Sequence, residues 1–250
     1  MQFVFDLDGT ICFGGRPLTE EMIQALETCL EDGHEVIFAS ARPIRDILPV
    51  IPKSLHSGNM VGGNGAFIQK EGQISVSAFD DVTKEALLRC IEHHNLTYLV
   101  DSKWDYAYTG SQEHPIFLNI DPLKLAKCLP ITALQKWVKL VLFTSDNKII
   151  DELRQLPVSL HIHSGENIVD ISPVGIDKWS GLQELGVKEG EYIAFGNDAN
   201  DITMFQHAKE SVAVGSLKAI QPFASEFIIA EQVVEKVCKV SKEYRTKQFD

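Results

Sequence analysis

The chain is poor in the features that would place it in several large classes. Its 250 residues hold five cysteines, an odd number, and Cys12, Cys29, Cys90, Cys128 and Cys238 are widely scattered with no CxxC pair. That spacing argues against a disulfide framework and against a structural zinc site. No run approaches the ~18 apolar residues of a membrane-spanning helix, and no basic stretch precedes the apolar first strand as it would in a secretory leader. A cytoplasmic location is the expectation. Basic residues are in deficit too: 23 lysines and arginines face 35 aspartates and glutamates, for a net charge of -12. A field of that sign opposes extended contact with nucleic acid or an anionic membrane, both of which select a basic face. A small-molecule partner remains, and an anionic one would need a local positive site. No internal repeat or low-complexity tract is present. With 44% hydrophobic residues the chain can bury a sizeable core, as one large domain or two ordinary ones.

What the chain does have is a strand that runs into carboxylates. QFVF leads into Asp6, Leu7, Asp8, Gly9 and Thr10, the way a buried strand delivers acidic side chains to the end of a sheet. Side chains alternate along a strand, so Asp6 and Asp8 start on one side and Leu7 on the other. At roughly 4 Å and an effective dielectric of about 20, two carboxylates repel by about 4 kcal/mol. They call for a divalent cation or a shared proton.

A helix follows, from a Thr19 N-cap through EEMIQALETCLEDG to Gly33, with two glutamates in its first turn. The strand HEVIFAS then ends in Ser40, Ala41, Arg42 and Pro43. Strand, helix, strand is a βαβ unit, which predicts a parallel sheet whose ligands bind beyond the strands' carboxyl ends. Asp6 and Ser40 should therefore lie side by side. The glycines at 62, 63 and 65 have no following Lys-Ser/Thr pair and open no helix, so they read as turn geometry rather than a phosphate loop.

From about residue 81 the pattern changes to an amphipathic helix, an aromatic hairpin over TYLVDSKWDYAYT, a short helix over LKLAKCL, a strand, a helix and two more strands. Alternating strands with hairpin turns predict an antiparallel sheet covered on one side by helices, inserted into the first domain. The expected boundaries are 1–80 with 170–250 for the core and 81–169 for the insert. His161 and His163 share one strand face without further metal-type donors at ligand spacing, and read as an exposed face. The βα pattern returns at SPVGIDKWSGLQELG, with Asp177 as N-cap, Lys178 in the first turn and Gly186 ending the helix. A lysine there opposes the helix dipole, which points to a purpose. The strand EYIAFGN then carries Asn197, Asp198, Asn200 and Asp201 at its carboxyl end. The last helix is expected over VVEKVCKV, with a polar, frayed tail from Ser241.

Four strand or helix ends thus carry DLDGT, SAR, a helix-initial lysine and GNDAND, in that order, with the insert between the second and third. Together they resemble the four motifs of the haloacid dehalogenase superfamily, and the insert resembles the cap of its Cof-type, type IIB phosphatases. The resemblance implies a Rossmann-like α/β core with an α+β cap of type C2B, closing over the site as a lid. It implies a nucleophile at Asp6, attacking phosphorus to form an aspartyl phosphate, and a proton shuttle at Asp8. It implies Mg2+ held by Asp6, the backbone carbonyl at Asp8 and the fourth motif, and a small phosphorylated metabolite as partner. Ser40 and the Ala41 amide would hold phosphate oxygens, Lys178 would oppose the charge of the transferring group, and Asn200 would face the phosphate. Arg42 would touch substrate or pin the neighbouring loop by a salt bridge. Trp104, Tyr106, Tyr108 and Phe117 are candidates for the leaving group by location.

The fourth motif departs from the family's GDxxND. Asn197 stands where the pattern has a magnesium-binding aspartate, so the expected metal set is Asp6, Asp8, Asn197 and Asp201, with Asp198 an alternative donor. Asn64 matches an asparagine that recurs in the family. The activity implied is hydrolysis of sugar phosphates or phosphorylated cofactors. The alternatives are a phosphomutase or phosphotransferase using the same nucleophile, or a phosphate-ligand binding protein without turnover, which the uncharged Asn197 motivates.

Overall fold

The computed structural model describes residues 1–163 and 167–245. The chain forms two compact units, one from Met1–Gln73 with the segment from Asp177 onward, the other from Ile74–Ile176.

In chain order the first unit opens with β1 (Gln2–Phe5), α1 (Glu20–Glu31), β2 (Glu35–Ala39), α2 (Ile44–Ile47), β3 (Met60–Gly62) and β4 (Phe67–Lys70), and β5 (Gln73–Val76) carries the chain into the second. The second unit adds α3 (Asp81–His94), β6 (Tyr98–Asp101), β7 (Tyr106–Tyr108), β8 (Lys139–Phe143), α4 (Asn147–Leu153), β9 (Val158–His163) and β10 (Ile168–Pro173). The chain then returns with α5 (Lys178–Leu185), β11 (Tyr192–Gly196), α6 (Ile202–Gln206), β12 (Glu210–Val214), β13 (Glu226–Ile228) and α7 (Val233–Tyr244).

Eight strands form one sheet in the order β13-β12-β11-β1-β2-β3-β4-β5. The pairs from β13 to β3 are parallel, and β3 meets β4 antiparallel. Nearly continuous apolar runs suit these inner strands because both faces are covered. On one face Val4, Ile37, Val61 and Ala194 pack with Leu182 and Leu185 of α5 and Met204 and Phe205 of α6. On the other side α1 and α7 lie against each other. There Ser241 Oγ donates to Asp32 Oδ2 at 2.7 Å, and the His34 ring meets the Ser241 carbonyl at 2.9 Å. The last helix therefore runs on to Tyr244, past the expected start of a frayed tail at Ser241; residues 246–250 lie outside the described ones.

The order reverses around β1, with β2 on one side and β11 on the other, so β1 stands at a topological switch point. Phe5 pairs with Phe38 and with Phe195. The next residues along these three strands are Asp6, Ala39 then Ser40, and Gly196 then Asn197. Register alone brings three of the four motifs to one crevice, where open α/β sheets bind ligands.

The second unit has a five-stranded antiparallel sheet in the order β7-β6-β8-β10-β9. Val100, Leu140, Leu142, Val169 and Ile171 pack with α3 and α4, whose Leu87, Cys90, Ile91, Ile149, Ile150 and Leu153 are buried among them. This unit is wider than 81–169. Phe79 belongs to its core and its amide donates to the Trp137 carbonyl, while β10 pairs along its length with β9 and over Ile168–Ile171 with β8. The expected helix over LKLAKCL is absent. Both Asp121 carboxylate oxygens accept amides, from Leu125 at 2.6 Å and Ala126 at 3.0 Å, and Asp121 and Lys124 take positive φ. A side chain that captures those amides offers the backbone an alternative to the helix ladder. Among the described residues, no helix is long and apolar enough to cross a membrane.

Candidate active site

Asp6 follows directly on β1, and its amide donates to the Phe195 carbonyl at 2.8 Å, which continues the parallel ladder one residue past the strand. The residue is buried, 5% exposed. Lys178 Nζ donates to Asp6 Oδ1 at 2.7 Å and to Asp201 Oδ1 at 2.6 Å, and both Lys178 and Asp201 are fully enclosed. One ammonium between two carboxylates leaves a net negative charge in a closed site. Burial pushes the Asp6 carboxyl up to about 7, against the pull of Lys178. Lys178 is held protonated: the Asp201 and Asp6 carboxylates more than offset its own burial and raise it above the ordinary lysine range.

Lys178 reaches this position because α5 starts where it does. Asp177 caps the helix, accepting from the Ser180 amide at 2.8 Å, while Ser180 Oγ accepts from the Asp177 amide at 3.0 Å. This reciprocal cap fixes the first turn and aims the lysine inward, where its charge offsets two carboxylates rather than merely opposing the helix dipole.

Asp8 does not share the cation of Asp6. Half exposed, it meets Arg42 in a two-pronged pair: Nε donates to Oδ2 at 2.7 Å and Nη2 to Oδ1 at 2.6 Å. Each carboxylate of the opening motif thus has its own protein cation. Arg42 thus makes a salt bridge, and its Nη1 also donates to the Asp46 carbonyl at 3.3 Å. Ser40 is buried, and its Oγ accepts the Arg42 amide at 3.1 Å. Ala41 lies between them, partly exposed.

Thr10 carries a contact that sequence reading left unassigned. Its Oγ1 lies 2.8 Å from Asp6 Oδ2 and 3.2 Å from Asn197 Oδ1. A hydroxyl has one hydrogen to give, so these two oxygens converge with more acceptor capacity than the protein fills. Gly9, at φ +81, makes room for this: a Cβ there would sit 2.2 Å from Asn197 Nδ2. An oxygen donor set of a carboxylate and an amide carbonyl suits a hard divalent cation, so the residues at this point fit one. Asp201 is differently employed. Its Oδ1 takes Lys178, and its Oδ2 accepts the amides of Asn197 at 2.8 Å and Asp198 at 3.0 Å. Sitting four residues after Asn197, it folds back to cap its own turn, so both of its oxygens already have protein partners. Asp198 Oδ1 accepts from the Ala199 amide at 2.6 Å. Asn200 Nδ2 donates to Asn64 Oδ1 at 3.0 Å. In the second unit Tyr108 stacks on Phe117 at 5.3 Å, Tyr106 is buried, and Trp104 Nε1 donates to the Leu125 carbonyl at 2.8 Å.

A buried aspartate at a parallel sheet's switch point, held by a lysine from a later helix and flanked by a second acid, defines a hydrolase-type site of the doubly wound α/β class. Residues 3–231 match the haloacid dehalogenase-like hydrolase family, and the chain belongs to it. It is 24% identical to a 5-amino-6-(5-phospho-D-ribitylamino)uracil phosphatase of Bacillus subtilis, covering 96% of this chain and 95% of that protein. It is 25% identical to an HMP-PP phosphatase of Serratia proteamaculans, over 87% and 86% of the two chains. Among solved structures, a sugar phosphatase of subclass IIB superposes with a TM-score of 0.79 at 19% identity, over 97% and 98% of the chains. Phosphatases of this superfamily generally need a divalent metal.

Proposed function

We propose that this chain is a magnesium-dependent phosphatase of small phosphomonoesters, among them sugar phosphates and phosphorylated cofactors or their precursors, working through an aspartyl phosphate on Asp6. The observation that carries this is the enclosed Asp6–Lys178–Asp201 group set beside the separate, half-exposed Asp8–Arg42 pair. The two carboxylates have unlike environments, which is what two unlike roles require.

Asp6 attacks phosphorus. As its oxygen bonds to phosphorus, the bond to the ester oxygen breaks, and Asp8 gives that oxygen its proton. Asp8 then takes a proton from water, the water oxygen displaces Asp6 from phosphorus, and inorganic phosphate leaves with the carboxylate restored. Both Asp8 oxygens accept from Arg42 in the structure, so at least one of those bonds opens, and a proton is taken from solvent, before Asp8 acts as the acid. Lys178 remains charged throughout and faces the developing charge, held in place by Asp201. Ser40 and Asn200 hold phosphate oxygens. Asp6, the Asp8 carbonyl and Asn197 would hold magnesium, which when bound lowers the repulsion between an anionic nucleophile and an anionic ester. The B. subtilis and S. proteamaculans relatives, each matched over most of its length, support phosphorylated cofactor precursors as the first substrates to try.

The test is hydrolysis of p-nitrophenyl phosphate and of a panel of phosphorylated metabolites, with and without magnesium. Asp6→Asn abolishes turnover while leaving the circular dichroism spectrum unchanged; an active Asp6→Asn protein refutes the mechanism. A chain that binds phosphate but turns nothing over would fit the uncharged Asn197 instead, and transfer to an added alcohol in place of water would mark a phosphotransferase.

A further inference from the structure

The turn Gly63–Asn64–Gly65 touches three of the four site elements at once. Asn64 is buried and left-handed, with φ 56° and ψ 32°. Its amide donates to the Ser40 carbonyl at 3.0 Å, and the Gly63 amide donates to the Arg42 carbonyl at 2.8 Å, so the turn is tied to the end of β2. Gly65, at φ +110, lies so close to the start of α5 that a Cβ would stand 2.1 Å from the Asp177 carbonyl, next to Lys178. The third element is reached by the side chain, since Asn64 Oδ1 accepts from Asn200 Nδ2.

We infer that Asn64 is a positioning residue that fixes which end of the Asn200 amide faces the phosphate site, an inference that rests on the phosphatase reading above. A primary amide presents two donors on nitrogen and an acceptor on oxygen, and a phosphate dianion can use only the donors. With the Asn64 carbonyl oxygen in front of it, Asn200 meets Asn64 through nitrogen, leaving its second N–H to give. The Asn200 Oδ1 is buried and without a protein partner, and turning the amide would set that oxygen against the Asn64 oxygen, acceptor to acceptor, so the bond to Asn64 is the contact that favours this orientation. Asn64 does this from a left-handed backbone, a conformation that asparagine tolerates better than most residues. The three-residue turn thus sets the phosphate-facing donor from behind while holding the ends of β2 and α5 in register.

The test is a double-mutant cycle on p-nitrophenyl phosphate hydrolysis and on inhibition by inorganic phosphate. Asn64→Gly keeps the positive φ and the amide donor and removes only the side chain. It is expected to lower kcat/KM and weaken phosphate inhibition by about tenfold, the worth of one hydrogen bond. In an Asn200→Ala background the same change is expected to cost nothing further in either quantity, whereas its effect on thermal stability is unaltered. Asn64→Ser, too short to reach Asn200, serves the same cycle if glycine loosens the turn. An equal kinetic loss in both backgrounds assigns Asn64 a structural role and overturns the inference, as does no loss in either. A wild-type protein without turnover or phosphate binding overturns the phosphatase reading and this inference together; one with turnover isolates the inference.

Discussion

The buried charge at Asp6 makes a prediction about stability that is separate from activity. Replacing Asp6 by Asn removes one of two carboxylates sharing the Lys178 ammonium and leaves a balanced Lys178–Asp201 pair. The local hydrogen bonds can be kept. The new amide oxygen accepts from Lys178, its nitrogen donates to Thr10, and the Thr10 hydroxyl turns to donate to Asn197, 3.2 Å away. The magnitude follows from the carboxyl being raised from its ordinary 3.8 to about 7. Below pH 3.8 Asp6 is protonated in both the folded and the unfolded chain. Between 3.8 and about 7 only the folded chain keeps the proton, so wild-type stability from this group falls as pH rises, by about 1.36 kcal/mol per pH unit. Above 7 the loss is complete, about 4 kcal/mol as an upper bound. Asp6→Asn has no such loss. Its stability advantage over wild type should therefore grow by about 3 kcal/mol between pH 5 and pH 8, or roughly 6–12 °C in melting temperature for a chain of this size. The assay is thermal and urea unfolding of chelator-treated protein across that range. A gap that is constant with pH, or that widens toward acid, refutes the assignment of a buried, raised carboxyl at Asp6.

Arg42→Gln removes two short charge-assisted bonds to a half-exposed Asp8 together with a largely buried guanidinium that also bonds the Asp46 carbonyl, so stability should fall by about 1–3 kcal/mol while kcat falls about tenfold. Arg42→Lys should not restore kcat, since an ammonium cannot meet both oxygens at once; steady-state kinetics with a parallel melt checks both. Asn197→Asp adds a carboxylate beside Asp6, so it should lower the melting temperature in chelator and tighten magnesium binding about tenfold. Calorimetric titration showing unchanged or weaker affinity removes Asn197 from the ion's shell. Gly65→Ala forces a Cβ to 2.1 Å from the Asp177 carbonyl at φ +110. It should cost more than about 2 kcal/mol and lower activity through displacement of Lys178, read by urea unfolding and kinetics together.

Much of this site could be read in the sequence because its parts sit where strands end, and strand ends carry local signals. Thr19 and Asp177 are N-caps as their spacing predicts, and Gly186 ends its helix in the left-handed conformation. What could not be read was who pairs with whom. Asp6 and Asp8 are one residue apart, yet one turns into the interior toward a lysine 172 positions away and the other toward an arginine 34 positions away. The sheet's register brings in the arginine beyond β2, and the capped start of α5 brings in the lysine. Asp201 resembled a metal ligand by type and spacing, but the structure spends its oxygens on two backbone amides and Lys178. Its position four residues after Asn197 was a signal for that local cap, and complete burial decided it. LKLAKCL has helical composition and still forms none, because Asp121, just ahead of it, takes the amides a helix would use.

The charges so placed set a condition on any phosphate ligand. Three carboxylates, Asp6, Asp8 and Asp201, stand against two cations, Lys178 and Arg42, and each cation is already paired. A phosphate dianion entering such a site adds like charge to a net negative group inside a protein whose whole field is also negative. At roughly 4 Å and an effective dielectric near 20, each uncompensated pair would cost about 4 kcal/mol. Freeing Arg42 from Asp8 supplies one positive charge but strands a carboxylate. Freeing Lys178 strands two that are buried, a far larger cost. Lys178 and Arg42 therefore cannot balance the ligand, and the deficit is about that of one divalent ion. The place where acceptor capacity is left over is the convergence of Asp6 Oδ2 and Asn197 Oδ1 around the single Thr10 hydrogen. Asn197 is then intelligible as an amide: a third carboxylate beside Asp6 and Asp201 would deepen the deficit whenever the ion is away, at the expense of the fold.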